Sequence, residues 1–103
     1  MKVITTQDIT DTLRGLSNYV VLNFWAAWCG PCRKLSDVLD LMELEFPNIH
    51  FYKINVDENG ELAREYNIMS IPTLVILKDG VEIQRIIGAK AKDEISRDLS
   101  KLP

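Results

Sequence analysis

Residues Tyr19–Trp25 read Tyr-Val-Val-Leu-Asn-Phe-Trp, a near-continuous apolar run broken by a single amide. Its length and its β-branched and aromatic content predict a strand. A strand with one wet face alternates apolar and polar residues. This one does not, so it is expected in the interior of a sheet, covered on both faces. The fold class that follows is α/β, with helices on both sides of a central sheet.

The remaining segments supply that sheet and those helices. Lys2–Thr5 predicts a short first strand, and Ile9, Leu13 and Leu16 recur at helical spacing up to Gly15. Pro31 is well placed to start a second helix, because the N–H it lacks would be unpaired there. Leu35, Val38, Leu39, Met42 and Phe46 then form one apolar stripe, which Pro47 ends. Ile49–Val56 predicts another strand and Glu61–Tyr66 a short helix, with Asn67 as its left-handed cap. Asp79-Gly80 lies between two strand-like runs, Thr73–Leu77 and Val81–Ile87, a pattern that predicts an antiparallel hairpin. Ile95, Leu99 and Leu102 mark a final helix. The helical crossovers early in the chain require parallel pairing, so the sheet is mixed, with about five strands and four helices. With 103 residues, 47% of them hydrophobic, the chain is expected to form one domain over residues 1–103.

Both cysteines of the chain, Cys29 and Cys32, fall where the apolar strand turns into the second helix. The carboxyl end of a parallel strand is where open α/β sheets place their chemistry. The free N–H groups and dipole of a helix N-terminus favour negative charge, and a thiolate is such a charge. At about 100° per residue, Cys32 lies at the edge of the stripe of Leu35, Leu39 and Met42, and Cys29 lies further round. The first thiol is therefore expected to be exposed and acidic, the second shielded. Thiol–disulfide exchange uses that asymmetry: one thiolate attacks a partner's disulfide, and a neighbouring thiol resolves the mixed species. Lowering the pKa of Cys29 from ~8.5 to about 7 would raise its thiolate fraction at neutral pH roughly fifteen-fold. Weaker nucleophilicity trims the net gain in attack rate to about three-fold, so the larger benefit is that Cys29 leaves well when Cys32 attacks.

Other chemistries fit less well. A structural zinc site takes about four ligands, and the chain has two Cys and one His, His50, expected on a strand, so no metal is expected unless two chains shared one. The two-residue gap closes almost no loop, which makes a purely structural disulfide a poor staple. A net charge of −3 without basic runs argues against nucleic acid, and no apolar run approaches membrane-spanning length. The N-terminal Met-Lys-Val-Ile-Thr-Thr-Gln lacks the apolar core of a signal peptide, so a cytoplasmic location is expected.

Phe24–Cys32 (Phe-Trp-Ala-Ala-Trp-Cys-Gly-Pro-Cys), Lys53–Ile68, Ser70–Gly80 and Gly88 together resemble the thioredoxin family, in register and over nearly the whole chain. The resemblance implies a thioredoxin fold with the third strand at the sheet centre. It implies a dithiol–disulfide oxidoreductase that reduces protein disulfides, with Cys29 as nucleophile and Cys32 as resolver. It implies that Pro72 is cis and packs against the disulfide, and that Ile71 offers its backbone to a substrate segment. Trp28, Gly30, Pro31, Ile71, Pro72 and Gly88 would form the docking surface. A thioredoxin reductase is the implied electron donor; no cofactor is implied, and a monomer is expected.

The pattern also departs from the family. Where the family usually has a buried aspartate, thought to relay a proton from the resolving cysteine, this chain has Asn23. Asn23 is expected beneath the cysteines, with Lys53 within reach on the neighbouring strand; it either alters thiol chemistry or is a satisfied core amide. Asp37 replaces a common helix-kinking proline, so a straighter helix is expected. Met69-Ser70 leave the charge preference of the rim open. Trp25 and Trp28 could both be core residues. The alternative function is a protein-binding or chaperone subunit on the same fold, with incidental redox activity.

Overall fold

The apolar run at Tyr19–Trp25 is a strand with those bounds, and Val20, Val21, Leu22, Asn23 and Phe24 along it are all buried. The computed structural model describes residues 1–103 in the order β1 (Lys2–Val3), α1 (Ile9–Leu13), β2 (Tyr19–Trp25), α2 (Gly30–Glu45), β3 (Ile49–Asn55), α3 (Gly60–Glu65), β4 (Thr73–Lys78), β5 (Val81–Ile87) and α4 (Lys92–Ser100). The sheet order is β1-β3-β2-β4-β5, so β2 is the central strand. The expectation that the third strand lies at the centre is thus corrected. The physical reason is in the residues: β3 carries half-buried His50, Tyr52 and Lys53, and its outer neighbour is only two residues long. β2, apolar but for Asn23, takes the position with a full-length strand on each side.

β2 runs parallel to β3 and antiparallel to β4. Its alternate residues serve two cores. Val21 joins Leu35, Leu39 and Met42 of α2 and Ile95 and Leu99 of α4 on one face. Val20, Leu22 and Phe24 pack with Leu62 of α3 on the other, against Ile9 and Leu13 of α1. The first strand is shorter than expected, although Ile4 still donates its N–H to the Lys53 carbonyl at 2.9 Å. α2 runs unbroken through Asp37. α4 stops at Ser100, and Leu102 packs on the core from beyond the helix.

The β4–β5 hairpin turns at Asp79-Gly80, with φ of 53° and 83°. Positive φ at both central residues is what a type I′ turn requires, and that turn matches the twist of the flanking strands. Further along, the register shifts between Ile76, opposite Gln84, and Leu77, opposite Glu82. The extra residue, Ile83, lets Glu82 and Arg85 share a face although three residues apart. Arg85 then grips Glu82 with two hydrogen bonds of 2.8 Å and donates to the Tyr66 and Asn67 carbonyls at the end of α3. The hydrogen bonds from Arg85 hold the Glu82 carboxyl below its ordinary pKa of 4.5. A carboxylate with a lowered folded pKa adds stability above its unfolded pKa, and that stability fades as pH falls through the folded value. Because the pair is partly exposed, Glu82→Gln should cost only about 0.5 kcal/mol at neutral pH. Urea titrations should show the two proteins converging on the acid side of 4.5.

Candidate active site

The site is built where β2 gives way to α2. Ala26 accepts the N–H of Cys29 at 3.2 Å, closing a turn, and Arg33 reaches back to the Ala27 carbonyl at 2.7 Å. Cys29 has extended backbone and is the N-cap of α2, with Gly30 and Pro31 opening the helix. Its Sγ accepts the backbone N–H of Cys32 at 3.2 Å. A sulfur in the N-cap position thus uses one of the helix's free donors, as a Ser or Asp oxygen would. Negative charge on that sulfur is favoured by this bond and by the helix dipole. Cys29 and Cys32 are joined as a disulfide, with Cα atoms 5.2 Å apart.

The two sulfurs differ in access, though less than expected. Cys32 is fully enclosed, and Cys29 retains 7% of its surface. The expectation of an exposed first thiol is corrected to a thiol enclosed except at one edge. Ala26 and the partly buried Trp25, Val56 and Ile71 pack against the pair.

The Ile71–Pro72 peptide bond is cis, and Pro72 is buried. Gly88, at φ 94°, donates its N–H to the Pro72 carbonyl at 2.9 Å and so ties the β5 end to this loop. The backbone N–H and C=O of Ile71 make no backbone hydrogen bond. Trp28 is 70% exposed, so it is not a core residue; its indole N–H donates to Asp57 at 2.8 Å. Beside it lies an apolar hollow of about 360 Å³ whose walls include Trp28, Ile68, Ile71 and Met69, the last 93% exposed.

Asn23 is fully buried on the α2 face of the sheet and donates to the Ser36 hydroxyl at 3.1 Å. Ser36 lies one helical turn beyond Cys32, so Asn23 meets α2 one turn past the enclosed cysteine. The Asn23 carbonyl oxygen is buried with no partner. Lys53 is the cross-strand neighbour of Asn23, as expected. Its Nζ, however, lies 5.1 Å from the centre of the Trp25 ring and forms no ion pair. An amide offers no charge to hold the ammonium, and the indole face takes it instead. Ser36 was not singled out from the sequence; its spacing four residues after Cys32 was the available signal. No group of three or more His, Cys, Asp or Glu side chains could hold a metal ion.

A cysteine pair at the mouth of a helix, just beyond the central strand of a mixed sheet, defines a dithiol–disulfide oxidoreductase of α/β architecture. The sequence pattern described as thioredoxin matches residues 1–101. A thioredoxin of Chlamydia pneumoniae is 38% identical over 101 residues, spanning 98% of this chain and 97% of that one. A thioredoxin of Mycobacterium tuberculosis is 41% identical over 101 residues, spanning 97% and 86%. The X-ray structure of Fasciola hepatica thioredoxin superposes with a TM-score of 0.90 at 32% identity, covering 98% of each chain. This chain belongs to the thioredoxin family. It is a thiol–disulfide oxidoreductase, and membership of that family implies disulfide-bearing proteins as substrates and a reductase as electron donor.

Proposed function

We propose that the chain works as a reductant of protein disulfides, with Cys29 as the attacking thiolate and Cys32 as the resolving thiol. The Cys29 thiolate attacks one sulfur of the substrate disulfide, forms a mixed disulfide and releases the other substrate sulfur as a thiolate. Cys32 loses its proton and attacks the Cys29 sulfur. The Cys29–Cys32 disulfide forms, the second substrate thiol leaves, and two electrons have passed to the substrate. A reductase then restores the dithiol.

The observation that carries this assignment is the unequal setting of the two sulfurs. Cys29 holds the N-cap, accepts an N–H and keeps the pair's accessible edge, whereas Cys32 is fully enclosed. The exposed surface of the pair belongs to Cys29, so a substrate sulfur is expected to meet the pair there. The unpaired backbone of Ile71 supports docking of an extended substrate segment, with main-chain bonds giving affinity irrespective of sequence. Trp28, Gly30, Pro31, Pro72 and Gly88 frame that approach.

A monomer suffices for this chemistry, and a reducing compartment such as the cytoplasm would keep the dithiol available. No helix is long and apolar enough to cross a membrane. The test is reduction of insulin by dithiothreitol with and without the protein, then with a thioredoxin reductase and NADPH replacing dithiothreitol. Catalysis in both assays is expected. Failure in both would leave the binding-subunit alternative as the better reading.

A further inference from the structure

A second cleft, of about 430 Å³, opens on the other side of the cysteine turn from Trp28. Gly30 and Pro31 form its near wall, so it starts at the residue next to Cys29. Val38 contributes to its apolar surface, and Lys34, Lys90 and Lys92 line it without a single acidic residue. Lys92 is tied to Glu45 at 2.6 Å, but Lys34 and Lys90 form no ion pair. Three lysines around one cleft contrast with the net charge of −3 for the whole chain. The opposite flank has the other sign: Asp57 holds Trp28, and Glu58 and Glu61 are exposed just beyond it. The named side chains on the two flanks are thus of opposite charge, with Arg33 held at the turn itself against the Ala27 carbonyl.

We propose that this cleft is a specificity site, which receives an acidic stretch of the substrate protein flanking its reacting cysteine. The inference rests on the proposed reductase function and adds the class of substrate preferred. Unpaired ammonium groups over an apolar floor attract carboxylates while the floor takes their methylene stems. The acidic flank rejects the same stretch in the reversed orientation, so attraction and repulsion together fix which way the substrate lies.

The test uses cyclic peptides, each closed by one disulfide, that differ only in a run of glutamates, glutamines or lysines beside one cysteine. The rate of opening by the reduced protein is followed by chromatography, with the run placed on either side of the cysteine in separate series. At low ionic strength the glutamate peptide should be opened about three- to ten-fold faster than the glutamine peptide in at least one series, as a few exposed charge pairs allow. About 0.5 M salt should close the gap. The double variant Lys34→Gln/Lys90→Gln should open the glutamine peptide at the wild-type rate and lose the preference for glutamate. Equal wild-type rates on the glutamate and glutamine peptides would overturn the proposal. So would a faster lysine peptide, or a glutamate preference that survives in the double variant. If no peptide is opened at all, the reductase function itself falls, and this inference with it.

Discussion

Cys29→Ser should lose disulfide reduction altogether, a fall on the order of 10³-fold or more, as expected when a covalent nucleophile is removed. Cys32→Ser should lose turnover as severely, but by a different route. Attack by Cys29 survives in that variant, and the step that expels the substrate does not. The protein should therefore accumulate as a mixed disulfide with its substrate, visible as an adduct of combined mass that dithiothreitol removes. The hydrogen bond that favours a Cys29 thiolate comes from the backbone N–H of residue 32, not from its side chain, so the serine there leaves it in place. Mixed disulfides trapped equally by both variants would contradict the assigned roles.

Asn23→Asp should change both stability and thiol chemistry. The introduced carboxyl would sit where no solvent reaches, with the Ser36 hydroxyl as its side-chain partner and Lys53 on the adjacent strand. Burial disfavours the charged form and raises a carboxyl's pKa above the ordinary value. A group whose folded pKa exceeds its unfolded one costs no stability below the unfolded pKa and a growing amount as pH rises through the folded value. Each unit of that rise costs about 1.4 kcal/mol, so a rise of about two units would remove roughly 3 kcal/mol at pH 8. Denaturation of wild type and variant should accordingly diverge with rising pH. When ionised, the carboxyl would also oppose a second negative charge nearby and raise the pKa of Cys29. The reduced variant loses a stabilised thiolate, so its potential should be more negative. Cys32 gains a proton acceptor on the strand that faces its helix, and resolution near neutral pH should speed up. Thiolate absorbance titrations and stopped-flow resolution rates check both points. Unchanged curves and rates would identify Asn23 as an ordinary core amide.

Much of this arrangement was legible in the residues. The bounds of β2 could be read because a seven-residue apolar run, broken only by Asn23, admits few other structures. The β4–β5 hairpin was legible because Asp79-Gly80 combines residues that tolerate positive φ. The centre of the sheet was read correctly from the apolar pattern of β2 and wrongly from family resemblance. The order of strands depends on which neighbour each edge finds, and local sequence does not encode that.

The site was legible as a cysteine pair at a helix start, but its enclosure was not. The enclosure of Cys29 involves Trp25, Val56 and Ile71, and Ile71 lies forty-two positions away along the chain. The placement of Asn23 beside Lys53 followed from strand register. Its bond to Ser36 and the seating of Lys53 on Trp25 did not follow, because each depends on side-chain directions across elements. The lysine cleft joins the start of α2 to the start of α4, two segments far apart in sequence.

The division of labour between the cysteines can be read from one labelling experiment. Fully reduced protein is treated with a limiting amount of iodoacetamide across a range of pH, and the modified peptides are mapped by mass spectrometry. Cys29 should carry the label at neutral pH, with a rate that follows a midpoint below the ~8.5 of a free thiol. Cys32, enclosed beneath the helix start, should stay unmodified until the protein is denatured. Labelling of Cys32 first, or of both cysteines at equal rates, would contradict the assignment of Cys29 as the thiolate that meets the substrate.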